Sequence, residues 1–379
     1  MAPATDRWRS NGLHGKSVRR AETQDEVDMH KNQESHARSH VEDGAIGEES
    51  IEVVRRKAEA GSARHQTTLG YCYESGRMGL PVDVKQAGHW YTRAARLGYG
   101  RAMYNLGLCH VKGVGVEQDP FAAMGWFEAG SKAGFPKASL CAGMCARLGH
   151  GVVGGPNVEA ACKWFRLAAE AGEPEAMHCL GECLDMGEGC EADPEKARAW
   201  YEASAKLGHA GALYALGCMF LTGTPHMDPQ PRRALECLQS AVDRSNRTHA
   251  RALNNLGFCF GQGVGTPCDA AQAASLYAEA AKLGDADGMH NFGAALDRGC
   301  GIPMDKVAAA VWWGMAAKAG HPKSLFYYAR CMGDAARAQK HGIPYDPFMA
   351  QKLIRDSAAK GYRRAIEALP DESEGSPSS

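Results

Sequence analysis

Fourteen cysteines are the residues of this 379-residue chain best suited to chemistry. Thiolates bind zinc, exchange disulfides and act as nucleophiles, so their spacing is read first. Cys141 with Cys145, and Cys179 with Cys183, form two C-x-x-x-C pairs. Zinc sites use the tighter C-x-x-C knuckle, which i, i+4 pairs on two separate helices do not reproduce. No metal is therefore expected. Cys72, Cys109, Cys145, Cys183, Cys259 and Cys331 each lie two residues after a glycine or alanine that marks a repeating unit. Equivalent positions in stacked units are a helix spacing apart, about 8–10 Å. A disulfide needs Cα atoms within about 7 Å. This column should therefore hold small, buried, reduced thiols. Gly149, Gly151 and Gly154 spell G-x-G-x-x-G, but a dinucleotide fold needs a strand before that motif. A helix is expected there instead. No H-E-x-x-H, G-x-S-x-G or P-loop motif occurs, so neither a catalytic residue nor a cofactor is expected. Asn246-Arg247-Thr248 fits the glycosylation pattern and should go unused without a secretory signal. His14, His30, His36 and His40 should be solvated side chains of a polar tail.

Composition narrows the classes of function. Lys+Arg 43 against Asp+Glu 44 gives a net charge of −1, without the basic excess of nucleic-acid binders. No apolar run approaches the roughly 18 residues of a membrane span. The first twenty residues lack the apolar core of a secretory signal. A cytoplasmic location is expected, with organellar import as the alternative because five bases face one acid there. Residues 1–50 carry ten acids and seven bases, and residues 370–379 carry three acids and no base. Segments this polar cannot offset their ordering entropy, so both are expected to be disordered tails.

The elements between the tails repeat. Leu-Gly or its equivalent places a marker at Gly70, Gly107, Gly143, Gly181, Gly217, Gly257, Gly293 and Ala329, in steps of 36 to 40 residues. A second glycine closes most units: Gly61, Gly98, Gly134, Gly172, Gly208, Gly284, Gly320 and Gly361. Each unit reads as two helices. Asp-Pro starts the second one at Asp119, Asp193 and Asp346, because Asp accepts from free N–H groups and Pro lacks a donor where none is needed. Asp83, Asn157, Asp269 and Asp305 fill that slot without Pro. The second helix then carries an aromatic pair: Trp90-Tyr91, Trp126-Phe127, Trp164-Phe165, Trp200-Tyr201 and Trp312-Trp313. Five of seven tryptophans at one repeat position predict a common packing role, and a buried one should be worth roughly 3–5 kcal/mol. Repeat 5 departs from the pattern with Cys237-Leu238 and three nearby prolines, and repeat 8 carries a longer loop.

These elements resemble the Sel-one-like repeat, a relative of the tetratricopeptide repeat. The resemblance rests on Ala102 with Leu106-Gly107, on Gly113 to Val116, on Asp193 through Trp200-Tyr201, and on Ala280-Ala281 with Gly284. It implies an all-α fold, a right-handed α/α superhelical solenoid of about eight helix-turn-helix repeats. These would span 51–369, with a capping helix at 51–60. It supplies no catalytic residue. Its secreted branch staples neighbouring units with disulfides, but this chain has Ala95 and Met103, or Ala169 and Met177, in those slots.

The resemblance further implies a concave surface lined by first helices. The residue three before each marker points into it: Tyr104, Leu140, His178, Tyr214, Asn254, His290 and Phe326. Two readings of this stripe stand open: it reads a partner, or it packs on the next repeat. Asn105, Asn255 and Asn291, one position on, are expected to make structural hydrogen bonds. The function implied is a non-catalytic adaptor or scaffold, a monomeric rod that binds a protein partner's peptide or helix. The alternative is an activator or regulatory subunit of a partner enzyme, of the signalling, ubiquitin-linked degradation or cell-wall synthase type. A β-lactam hydrolase ranks third, since no active-site motif supports it.

Overall fold

The computed structural model describes residues 49–369. Apart from Glu49 and Ser50, the two expected tails lie outside this range. The described residues form 19 helices and no strand, and they divide into two compact units at Leu207/Gly208. In the first unit, a single helix α1 (Ile51–Glu59) precedes four helix pairs. These are α2 (Ala63–Ser75) with α3 (Val84–Arg96), α4 (Gly100–Lys112) with α5 (Pro120–Lys132), α6 (Pro136–Leu148) with α7 (Val158–Glu170), and α8 (Pro174–Met186) with α9 (Pro194–Lys206). The second unit also holds four pairs. They are α10 (Ala210–Thr222) with α11 (Pro231–Arg244), α12 (Ala250–Gln262) with α13 (Ala270–Lys282), α14 (Ala286–Arg298) with α15 (Lys306–Lys318), and α16 (Pro322–Met332) with α18 (Pro347–Ala359). The long loop of repeat 8 contains one more short helix, α17 (Ala335–Lys340), started by Asp334. The four-residue α19 (Arg363–Ile366) closes the unit. Each unit is an α/α solenoid.

The helix starts and stops are chemical. Asp119 accepts hydrogen bonds from the N–H groups of Phe121 and Ala122 at 2.9 and 3.0 Å. Asp83, Asn157, Asp193, Asp269, Asp305 and Asp346 cap their helices in the same way. Left-handed glycines such as Gly113 and Gly149 end the first helices of most pairs. Gly149 and Gly151 thus follow helix α6 and belong to the connecting loop found in each repeat. Replacing Asp119 with Ala should cost about 1 kcal/mol, while Asn should retain the cap. Equal losses for both substitutions in urea unfolding would contradict the assignment.

The core corrects one reading of the sequence. In each aromatic pair the ring set on the marker glycine is the residue after the tryptophan, and of the tryptophans in first place only Trp90 is itself buried, in a cluster with Val54, Ala58 and Leu69. Tyr91, Phe127, Phe165, Tyr201 and Trp313 are all at most 3% exposed, whereas Trp126, Trp164, Trp200 and Trp312 are half-buried. The buried ring lies on the marker glycine of the same repeat. A Cβ on Gly107 would stand 2.5 Å from the Phe127 ring, and one on Gly181 would stand 2.5 Å from Tyr201. The glycine is there to make room. The tryptophans lean toward the preceding repeat: Trp126 packs on the cluster that joins Tyr91 of that repeat to Leu106 of its own, and Trp164 on the Tyr104–Phe127 cluster. Ser204 Oγ and Ser357 Oγ add a recurrent tie, donating at 2.6 Å to the carbonyls of Pro174 and Pro322.

Candidate functional site

The stripe on the first helices is largely packed. Tyr104, Leu140, Asn254 and Phe326 are 4–8% exposed; His178, Tyr214 and His290 are half-buried. Their partners follow a rule that no single repeat displays. Four of the five rings meet the residue that starts the next first helix, while His178 meets Tyr201 of its own repeat at 5.7 Å. Tyr104 meets Phe135 with centroids 5.3 Å apart, Tyr214 meets His249 at 4.8 Å, His290 meets His321 at 4.9 Å, and Phe326 meets Tyr362 at 5.4 Å. Those starting residues are N-caps. His249 and His321 accept through Nδ1 from the N–H groups of Ala252 and Ser324. Sequence reasoning passed over this column, although its signal was present: in most units it is the residue directly after the closing glycine, as in Gly98-Tyr99, Gly134-Phe135 and Gly320-His321. Two residues on, in the first helical turn, stand Arg101, Lys137, Glu175, Arg251, Asp287 and Lys323, all partly or fully exposed. They lie one turn before the stripe and share its face. In each unit this face thus combines buried or half-buried aromatics and imidazoles with charges of both signs: Arg101, Lys137 and Glu175 in the first, and Arg251, Asp287 and Lys323 in the second.

The asparagines next to the stripe are mostly structural. Asn291 Nδ2 donates to Asn254 Oδ1 at 2.8 Å, and Asn255 Nδ2 to Cys218 Sγ at 3.4 Å. Asn105 is also buried, but makes neither bond.

A Ser–His–Asp chain exists in the second unit. Ser324 Oγ lies 2.9 Å from His321 Nδ1, and His321 Nε2 lies 3.0 Å from Asp287 Oδ1. It serves as a helix cap. Ser324 is fully buried, and its Oγ also lies 2.9 Å from His290 Nδ1, so no substrate carbonyl can reach it. His321 Nδ1 is already an acceptor for the Ser324 N–H, which leaves the ring proton on Nε2, toward Asp287.

Among the described residues, the one group of metal-ligand types converging within 4.8 Å is His178, Cys179 and Glu182. Burial pushes the Cys179 thiol well above its ordinary value and keeps it protonated. The Arg147 guanidinium lies 3.5 Å from Glu182 and occupies the charge a cation would need. The two C-x-x-x-C pairs are buried free thiols, with Cys145 and Cys183 raised to about 12 by burial. Such thiols are poor ligands and poor nucleophiles at neutral pH.

Asp285, the N-cap of α14, carries a pH-dependent cost. Burial, followed by the like charge of Asp287, raises its carboxyl from 3.8 to about 6, against the hydrogen bond from the Gly288 N–H at 2.6 Å. The folded state binds the proton more tightly, so stability falls as the pH rises from 3.8 to about 6 and is level above. Asp285→Asn keeps a capping oxygen. It should remove this dependence and stabilise the second unit by roughly 2–3 kcal/mol at pH 7. Parallel pH–stability curves for both proteins would contradict this.

Comparison with known proteins agrees with the geometry. The family model of the Sel1 repeat matches seven segments: residues 66–99, 100–135, 139–173, 174–209, 210–246, 250–285 and 286–321. The c5321 protective antigen of uropathogenic Escherichia coli, which displays an SLR fold, superposes with a TM-score of 0.66 at 28% identity. The match covers 83% of this chain and 65% of that one. A Sel1 repeat protein of Oxalobacter formigenes gives 0.56 at 29% identity, covering 76% and 78%. Chitin synthase regulatory factor 3 of Schizosaccharomyces pombe is 32% identical over 121 residues, which cover 22% of this chain and 13% of that protein. No helix among the described residues is long and apolar enough to cross a membrane.

Proposed function

The chain belongs to the Sel1 repeat family, and we propose that it is a non-catalytic scaffold binding a protein partner along the face of its first helices. The supporting observation is the division of labour within each repeat. Second helices repeat a large residue and alanines, the residue being an aromatic ring in six of the eight units. The cap, first-turn and stripe positions of the first helices change at each step: Tyr99, Arg101 and Tyr104, then Phe135, Lys137 and Leu140, then Glu173, Glu175 and His178. Partly exposed aromatics flanked by charges suit an extended peptide or a helix. Tyr104 and Phe326 are too buried for alanine to report on binding. Reversing Arg101 and Lys137 together to Glu should abolish partner capture while the helical circular dichroism is retained. Lys163→Glu on second helix α7 should leave capture unchanged. Identical partners with all three proteins would overturn the reading.

A second reading draws on the relative named as a regulatory factor of chitin synthase. In it, the scaffold docks an enzyme and changes its rate, in a signalling, degradation or cell-wall setting. The chain spans only 13% of that relative and 65% of the E. coli antigen. Adding the purified chain to the captured enzyme separates the two readings: a change in turnover supports activation, and unchanged turnover supports scaffolding alone.

A further inference from the structure

Two cysteines stand outside the repeat column and face each other. Cys162 lies in α7, two residues before Trp164. Cys190 is the fourth residue of the loop after α8. An equivalent pair exists in repeats 1 and 2: Gly88, two before Trp90, and Val116, fourth in the loop after α4. A Cβ on Gly88 would lie 3.1 Å from Val116 Cγ1. The loop seats alike in both places. Gly115 sits on the Val84 carbonyl at the start of α3, and Gly189 sits on the Val158 carbonyl at the start of α7. By this equivalence the γ atom of residue 190 is set against the β carbon of residue 162. That approach suits the Cβ–Cβ separation of about 3.5–4.5 Å that a disulfide requires. The two thiols are close enough to influence each other, and Cys162 raises the Cys190 thiol. The helix-spacing argument against disulfides in the column does not reach this pair, which is formed between a helix and a loop.

We propose that Cys162 and Cys190 form a reversible disulfide by exchange with a small-molecule disulfide such as oxidised glutathione, fastening the α8–α9 loop to α7. Cys190 is half-buried and Cys162 buried, so Cys190 reacts first. Its sulfur attacks one glutathione sulfur, and a mixed disulfide forms as the first glutathione thiol leaves. The Cys162 sulfur then attacks the Cys190 sulfur and displaces the second glutathione thiol. Two protein thiols are oxidised, one glutathione disulfide is reduced to two thiols, and the two protons leave with them. Burial, then the neighbouring Cys162 thiol, raises the Cys190 thiol to about 11. Exchange is accordingly slow at neutral pH and quickens about tenfold per pH unit below that value.

The test is peptide mapping of the full chain after exposure to oxidised glutathione and alkylation of the remaining thiols. The expected result is a Cys162–Cys190 linked peptide that dithiothreitol reverses and that Cys183→Ser still forms. The oxidised protein should melt at a higher temperature than the reduced one. Cys190→Val, which installs the residue found at position 116, should fold and lose both the linked peptide and the melting shift. Recovery of Cys162 and Cys190 both alkylated from folded protein at pH 9 would overturn the proposal, as would a Cys162–Cys183 bond in its place.

Discussion

Phe127→Ala should destabilise the first unit by about 3–5 kcal/mol, whereas Trp126→Ala, one residue earlier, should cost well under half of that. The ring of Phe127 is 1% exposed and lies among Gly107, Tyr104, Ala123 of its own repeat, and Ala138 and Ala142 of the next. Alanine would leave a cavity that rigid helices cannot close. Trp126 is half-buried, and its loss opens onto solvent, where neighbours and water fill the space. The two substitutions are compared by chemical denaturation of the full chain, following the first-unit transition. Equal losses, or a larger one for Trp126, would mean that the ring-on-glycine register is wrong.

Gly115→Ala should be as damaging, for a different reason. Gly115 has φ +74°, where an L side chain costs about 1–2 kcal/mol. A Cβ there would also be driven into the Val84 carbonyl, which is backbone and cannot rotate away. Overpacking of this kind costs typically 1–3 kcal/mol and sometimes more. The combined loss should reach about 3–5 kcal/mol. Gly98 separates the two causes. Its φ is +83°, but a Cβ would meet nothing within 4 Å. Gly98→Asn should therefore stay within about 1 kcal/mol, because Asn tolerates that conformation. Gly115→Asn should remain severe. Similar costs for both Asn variants would refute the close approach of loop and helix.

Much of this architecture is legible in the residues, because helix ends are local chemistry. The Asp and Asn caps and the left-handed glycines act over three or four residues, so spacing alone locates the pairs. What decides between Trp126 and Phe127 is not local. Adjacent helical positions differ by about 100° around the axis, and only the facing glycine shows which ring enters. Repeats 5 and 6 held the clue: Cys237-Leu238 and Leu276-Tyr277 keep a large residue in second place while the tryptophan is gone. The helix Ala335–Lys340 was hidden in a loop because its capping Asp334 interrupts the repeat period. Packing of the stripe on the next repeat is one of the two readings the residues leave open, but the covering residues are not legible, since Tyr104 and Phe135 are far apart in sequence and meet only when repeats stack. Cys162 and Cys190 escaped notice in the same way: their contact is defined by Gly88 and Val116, two repeats earlier.

The most direct measurement is hydrogen exchange on the full chain with and without its captured partner. Binding to the face of the first helices predicts slowed exchange in the segments 99–104, 135–140 and 173–178, where cap, first-turn charge and stripe lie together. Second helices α5 and α7 should be unchanged. Protection confined to the second helices, or to residues outside 49–369, would contradict the account and move the binding site elsewhere on the chain.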